Sequence, residues 1–409
     1  MAEAEQGAPA RGATIAVALC FMVAVLEGFD IQAIGLVAPR LAEAANLGRD
    51  QLGLVFAMAN VGLVTGAAFG GWLADRIGRK PVFIFSVVTF GVFTLATMLA
   101  SDYYSLLIVR VLTGIGLGAA MPNMIAIASE VSRPENRNAT TTAMFCGMPL
   151  GGGVAAIYIA NLPAHFDWRT IFLVGGLIPL GVAVLIFLFM SETRRGGAGA
   201  HAQQANPIAA LFGEGRGLST ILIWLIFFPT LMILYILLNW LPSMVADKGL
   251  GKPLDVFVGA LKIGVNASFV FNIVSVAGAL LFGKLVDKIG FRWPIIVAYV
   301  ALFGGLVGLA QAMEMAPVLL YSGVAGFFLL GAQYSLYGVA AAYYPAAVRG
   351  VGAGFAVAVG RTGAILGPIA AGEMLSGGMD TNQTIMALAP LAAIAGTAVV
   401  LLSFRKQAA

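Results

Sequence analysis

The stretch GGWLADRIGRK, Gly70 to Lys80, has a weaker copy in FGKLVDKIGFR, Phe282 to Arg292. Asp75 maps onto Asp287 and Gly78 onto Gly290 at an offset of 212 residues, and Arg137 maps onto Arg349 at the same offset. An offset shared at three places marks an internal duplication, so the chain reads as two similar halves. Each copy follows one long apolar run and precedes another, and a duplicated set of apolar spans implies paired bundles with a binding site at their interface near the midplane.

Composition fixes the solvent. The chain is 60% hydrophobic and only 10% charged, with a mean hydropathy of +0.94, whereas a soluble domain carries about 25% charged residues. A soluble fold is excluded, and the lipid bilayer is the expected partner. Hydropathy gives twelve spans, at 13–38, 50–74, 81–101, 104–128, 138–161, 168–190, 218–243, 263–286, 293–312, 316–341, 349–373 and 383–404. The expected fold is all-α integral membrane, with 12 transmembrane helices in two pseudo-symmetric six-helix bundles. Residues 1–190 form the N-terminal bundle, 191–217 a linker containing the Gly/Ala-rich SETRRGGAGAHAQQANP, and 218–409 the C-terminal bundle.

Fifteen Lys and Arg fall in one set of connecting segments and six in the opposite loops. Basic residues collect on the cytoplasmic side, which places the linker and both termini there. The same rule accounts for the net charge of +4 without a nucleic-acid partner. Cys20 and Cys146 lie in apolar runs and show no metal-ligand spacing, and His165 and His201 sit in predicted loops. Proton chemistry within the membrane therefore falls to carboxylates. No cofactor or ATP site is expected: the Gly pairs lack the strand before and the Lys-Ser/Thr after that a phosphate loop needs. The energy source is then a gradient, and no catalytic constellation is present.

Two carboxylates, Glu27 and Asp30 of LEGFD, lie inside the first span at a spacing that shares one helix face. Ionisable groups at that depth are costly and usually functional. Asp30 lies about 12 Å and Arg110 about 9 Å below the same surface, at ~1.5 Å per residue, so the two suit an ion pair. That pair is either a static bridge or a proton site, with Asp30 the first carrier and Glu27 its partner. Arg361 falls near the midplane between Gly360 and Gly363. Its planar fork suits a substrate carboxylate, with Arg110 as the alternative clamp. The small neighbours are expected to leave Arg361 open to a cavity.

GGWLADRIGRK resembles the signature loop of the major facilitator superfamily, and the twelve spans and central linker extend the likeness over nearly the whole chain. Within it, Glu27-Gly28-Phe29-Asp30, RVLTGIGLGAAMPN (110–123) and GRTGAILGP (360–368) resemble the aromatic acid:proton symporter family. Most of that family has Asp where Glu27 stands; the branch carrying 3-(3-hydroxyphenyl)propionate is similar in having Glu. The resemblance implies proton-coupled uptake of a small aromatic carboxylate, 3-(3-hydroxyphenyl)propionate-like or hydroxybenzoate-like, by alternating access. It also implies a bacterial-type inner membrane and a monomer. A proton-driven efflux carrier for drugs or aromatic metabolites is the alternative. Gln32, Phe29, Phe145, Asn239, Asn272, Gln333 and Tyr337 are candidates to line the ring site. Trp240 reads as an outer-interface anchor. Gly71, Asp75, Arg76, Arg79, Glu130, Arg137 and Asp287 are candidates for a charged gate, with Asp75 also able to cap a helix N-terminus.

Overall fold

A computed structural model describes residues 7–132, 137–163, 167–192, 211–249, 256–345 and 348–405, with the side chains of 7–11, 137–139 and 256–263 excluded. His165, His201, the side chain of Arg137 and residues 193–210 of the expected linker lie outside the described residues. Among the described residues, twelve helices are long and apolar enough to cross a membrane. The protein is a multi-pass, all-helical membrane protein. Aromatic and branched side chains such as Phe85, Ile108 and Phe187 are exposed on the helix surfaces, as contact with lipid tails requires.

The helices are α1 (Gly7–Ala45), α2 (Arg49–Ile77), α3 (Arg79–Thr97), α4 (Tyr103–Val131), α5 (Arg137–Phe145), α6 (Gly147–Ala160) and α7 (Arg169–Phe189). After residues 193–210 come α8 (Gly217–Asp247), α9 (Val256–Ile289), α10 (Arg292–Gln311), α11 (Met315–Ala342), α12 (Arg349–Ser376), α13 (Thr381–Met386) and α14 (Ala389–Leu402). Two expected spans are broken. The fifth divides into α5 and α6, and the twelfth into α13 and α14. Each break has a proline as its cause. A proline has no N–H for the carbonyl four residues back, and for Pro149 and Pro390 those carbonyls belong to Phe145 and Met386, the last residues of α5 and α13.

Contacts divide the chain into two compact units, Met1–Leu47 with Met58–Gly197, and Gly48–Ala57 with Ala198–Ala409. The ten residues Gly48–Ala57, which open α2, thus cluster with the second unit. There Arg49 pairs with Asp247 at 2.8 Å, the Ser376 hydroxyl accepts the Asp50 N–H and Phe56 packs edge-on against Trp240.

Glycine seams hold both units. Helices in lipid gain little from burying apolar surface and associate through close backbone packing at small residues. In the first unit, a Cβ on Gly66 would sit 2.1 Å from the Ile115 carbonyl oxygen, and one on Gly114 2.1 Å from that of Ala59. In the second, a Cβ on Gly278 would sit 2.1 Å from the Phe327 oxygen, and one on Gly326 2.2 Å from that of Phe271. All four residues of the first pair of contacts map onto the second at the 212-residue offset. The repeat in sequence is therefore a repeat in packing: α2 crosses α4 as α9 crosses α11. The Gly151 contact with the Val25 oxygen has a counterpart in Gly363 against the Phe228 oxygen, where the glycines share the offset and their partners do not.

At one end of the second unit, Lys248 donates to the carbonyls of Ala310 (2.9 Å) and Ala312 (3.1 Å) and to the Asn382 side chain. One ammonium thereby ties the last carbonyls of α10 to the ends of α8 and α13. Burial lowers its pKa from the usual lysine value, with the Asp380 carboxylate opposing that fall.

Gly66→Val puts two methyl groups where the Ile115 carbonyl stands. Overpacking of this kind costs about 1–3 kcal/mol. The variant should melt below the parent in detergent, followed by fluorescence-detected gel filtration after heating. Gly181→Ala, with nothing within 4 Å of its Cβ, should melt with the parent. Equal melting of all three would remove the seam from the account.

Candidate functional site

In the first unit α1 carries the two acids. Both are wholly buried, and Gly28 lies between them because α6 passes too close for any side chain: its Cβ would be 1.8 Å from the Met148 oxygen. Gly151 makes the reciprocal approach to Val25. The GMPLGGG run of the fifth span is thus the seat of α1. This seam fixes the rotation of α1 and turns Asp30 toward α3 and α4.

There Asp30 meets the partner that the depth argument gave it. Arg110 Nη1 donates to Asp30 Oδ2 at 3.2 Å, with both side chains at or below 1% exposure. A second donor was not foreseen: the Thr94 hydroxyl of α3 donates to Asp30 Oδ1 at 2.7 Å. A buried charge must be matched by charge and by hydrogen bonds, and the two donors take one carboxylate oxygen each. Phe29 packs on the Tyr158 ring, with centroids 6.5 Å apart, and against Gly175 of α7. Gln32 is buried on the same helix, and Phe145 is half-buried at the end of α5.

In the second unit Arg361 is 8% exposed, and its Nη1 donates to the Tyr235 hydroxyl at 2.8 Å. No spacing in the sequence connects this tyrosine to an arginine 126 residues away. The glycines beside Arg361 do not open a cavity. A Cβ on Gly360 would meet the Leu231 side chain at 2.4 Å, and one on Gly363 the Phe228 oxygen at 2.3 Å, so both serve the approach of α12 to α8. Trp240 is 2% exposed and donates to the Pro368 carbonyl at 3.0 Å. It is a strut within the unit rather than an interfacial anchor. Asn239 and Asn272 are buried and bond the carbonyls of Tyr235 and Ser268, each one turn back on its own helix. Gln333 donates to the Tyr337 hydroxyl at 3.1 Å, and the Tyr337 ring stands edge-on to Phe227.

The signature loop is partly paired. Arg79 bonds Glu130 at 2.7 Å, and the Arg76 guanidinium lies 3.9 Å over the Trp72 ring. Asp75 and Asp287 are exposed and make no hydrogen bond or ion pair among the described residues. The acid that caps a helix N-terminus here is Glu192, not Asp75. Its two oxygens accept the N–H groups of Arg79 (3.0 Å) and Lys80 (3.2 Å) at the start of α3, where the helix dipole favours an anion. Gly78 has φ +102°, and a Cβ there would also strike the Glu192 carboxylate at 2.6 Å. Its counterpart Gly290 shares the positive φ, at +80°. Gly71 faces open space.

The family model described as Major Facilitator Superfamily matches residues 20–313. The chain belongs to the major facilitator superfamily. It is a membrane transporter and not an enzyme. It is 38% identical to the 3-(3-hydroxy-phenyl)propionate transporter of Escherichia coli (strain K12), over 96% of this chain and 94% of that one. It is 32% identical to the gallate transporter of Pseudomonas putida, over 88% and 85% of the two chains. Identity to the 4-hydroxybenzoate transporter PcaK of Pseudomonas aeruginosa is 33%, over 94% and 91%. Among solved structures, a bacterial homologue of the human lysosomal transporter Spinster, inward-facing and unoccupied, shares the fold with a TM-score of 0.77 at 18% identity, covering 96% of this chain and 97% of that one.

Gly28→Ala tests whether the superfamily chain depends on the α1–α6 seam. The added methyl has to displace the α6 backbone, two residues from Asp30. The variant should reach the membrane in reduced amount and lose most of its transport per molecule, measured as labelled-substrate uptake normalised to protein in the membrane. Parental uptake per molecule would show that the seam does not position the acid.

Proposed function

We propose that this transporter carries a small hydroxylated aromatic carboxylate into the cell together with protons, by alternating access, in a bacterial-type plasma membrane with both termini cytoplasmic. The observation that carries the reading is the separation of two buried charged sites: Asp30 with Arg110 in the first unit, and Arg361 with Tyr235 in the second. The substrate class follows the printed names of the relatives, whose cargoes are 3-(3-hydroxyphenyl)propionate, gallate and 4-hydroxybenzoate.

The physics of the pair supports coupling. A proton on Asp30 removes the negative partner of Arg110 and raises the net charge of the buried sites by one. An anion bound at Arg361 restores the balance, so each ligand favours the other. On the inner side, at higher pH, loss of the proton re-forms the ion pair and releases the anion. One proton with one anion moves no net charge. A second proton, on Glu27, would add the membrane potential as a drive, about 2.3 kcal/mol per 100 mV. Gln32, Phe145, Asn239, Asn272, Gln333 and Tyr337 are proposed to meet the ring and its hydroxyl, the amides and the phenol supplying donors and acceptors and Phe145 an aromatic face. Phe29 supports the acids through its packing. Arg79, Glu130, Asp75, Arg76, Arg137 and Asp287 are proposed as gate residues, and the transporter is proposed to act as a monomer.

Vesicles given radiolabelled 3-(3-hydroxyphenyl)propionate under an imposed pH gradient, acid outside, test the reading. Uptake should rise with the gradient and collapse with an uncoupler; uptake indifferent to the gradient removes symport, and outward accumulation favours efflux. Asp30→Asn should abolish accumulation while keeping exchange of labelled for unlabelled substrate. Full accumulation in that variant would remove the proton role of Asp30. Arg361→Lys loses the bidentate fork and should raise KM roughly 10- to 100-fold, the value of a hydrogen bond between charged groups. An unchanged KM would move the carboxylate to Arg110.

A further inference from the structure

Resting on the proton role proposed for Asp30, we infer that Thr94 is the positioning residue that lets this carboxyl gain and lose its proton inside the bundle, and that the proton sits on Oδ1, the oxygen facing Thr94. The argument starts from the donor inventory. Arg110 has only N–H groups and no acceptor, and it occupies Oδ2. An acid O–H on Oδ2 would set two donors against each other. Thr94 occupies Oδ1 at 2.7 Å, and a hydroxyl both donates and accepts. In the ionised state the Thr94 O–H donates to the carboxylate. When Oδ1 takes a proton from water, the new O–H donates to Thr94 Oγ1, and the threonine hydrogen turns away.

The helix offers that hydrogen a resting place. Helical threonines bond the carbonyl one turn back. Thr97 on the same helix does so to Phe93 at 3.0 Å, and Thr65 and Thr113 do so on α2 and α4. Thr94 instead sends its hydrogen across to α1, and the Phe90 carbonyl is the corresponding acceptor when it turns. Neither protonation state then leaves the Asp30 carboxyl or the Thr94 hydroxyl unmatched. The position is held by packing, since the Thr94 methyl lies 3.4 Å from where a Gly175 Cβ would stand, beside the Phe29 ring.

Other ionisable groups lie on the elements packed around this site. Glu27 lies one turn back on α1, and Arg110 comes from α4. The α5–α6 break brings Cys146 and α6 brings Tyr158, whose ring touches Phe29. From α7 comes Gly175 and, at its first turn, Arg169, which bonds the Met98 carbonyl. Between Lys80 and its end α3 has no titratable residue, so Thr94 is what α3 contributes to the site's proton chemistry.

A hydrogen bond to a carboxylate is roughly twice as strong as one between neutral groups. Removing the hydroxyl therefore harms the ionised state more. Thr94→Val should move the pH at which gradient-independent uptake of 3-(3-hydroxyphenyl)propionate is half-lost upward, by about fivefold in proton concentration. Thr94→Ser should keep the parental midpoint. Infrared difference spectra of the purified protein between acid and neutral pH give a readout that needs no substrate. The carboxylic C=O band that disappears in Asp30→Asn should shift in Thr94→Val, and should stay in place in Thr94→Ser. If the valine variant does not reach the membrane, Thr94→Ala against Thr94→Ser makes the same comparison. A Val or Ala variant with the parental midpoint and band would overturn the proposal, as would a Ser variant displaced as far as either. If Asp30→Asn still accumulates substrate, the proton role of Asp30 fails, whereas the infrared band separately reports on the Thr94 bond.

Discussion

A carboxylate and a guanidinium buried together in a membrane-spanning bundle constrain everything around them. Removing two charges from water costs several kcal/mol per ion, and the attraction repays that only when the geometry is good. Asp30 and Arg110 meet the requirement because their helices cannot turn. Gly28 and Gly151 lock α1 against α6, and Gly114 and Gly118 lock α4 against α2, each through contacts that any side chain would close. The glycine seams and the ion pair are two parts of one device. The seams set which face of each helix looks inward, and the pair makes a wrong rotation expensive.

The duplication shows what the fold requires and what function added. Contacts at Gly66, Gly114 and Gly151 recur at Gly278, Gly326 and Gly363, so the two units keep the same crossings. The buried charges Arg110 and Arg361 do not recur. The position matching Arg110 is Ser322, and the position matching Arg361 is Pro149. One packing frame carries a buried acid–arginine pair in one unit and a buried arginine with a phenol partner in the other. Such divergence suits the symport proposed above, in which two ligands of opposite charge need separate places.

Span number, the repeat and the Asp30–Arg110 pair were legible in the chain because hydropathy, periodicity and depth along a helix are one-dimensional quantities. The breaks at Cys146 and before Ala389 were also written there, in Pro149 and Pro390, though a hydropathy window passes over them. Tyr235 and Thr94 were not legible. Each is an ordinary residue in an apolar helix, and its partner is set by helix rotation rather than by spacing. Trp240 and the glycines flanking Arg361 were misread for the same reason, since burial within a unit and exposure to an interface give the same local pattern. Glu192 left a fainter trace, as an acid just after the sixth span. Linking it to the N-terminus of α3 requires knowing that α3 and α7 lie side by side.

The central claim is that the Asp30 site moves a proton with each substrate anion. It is tested most directly by recording external pH in weakly buffered, de-energised proteoliposomes as 3-(3-hydroxyphenyl)propionate is added. The account predicts that the medium turns alkaline in step with substrate entry, and that Asp30→Asn gives no such change. Substrate entering the parent vesicles at unchanged external pH would contradict it.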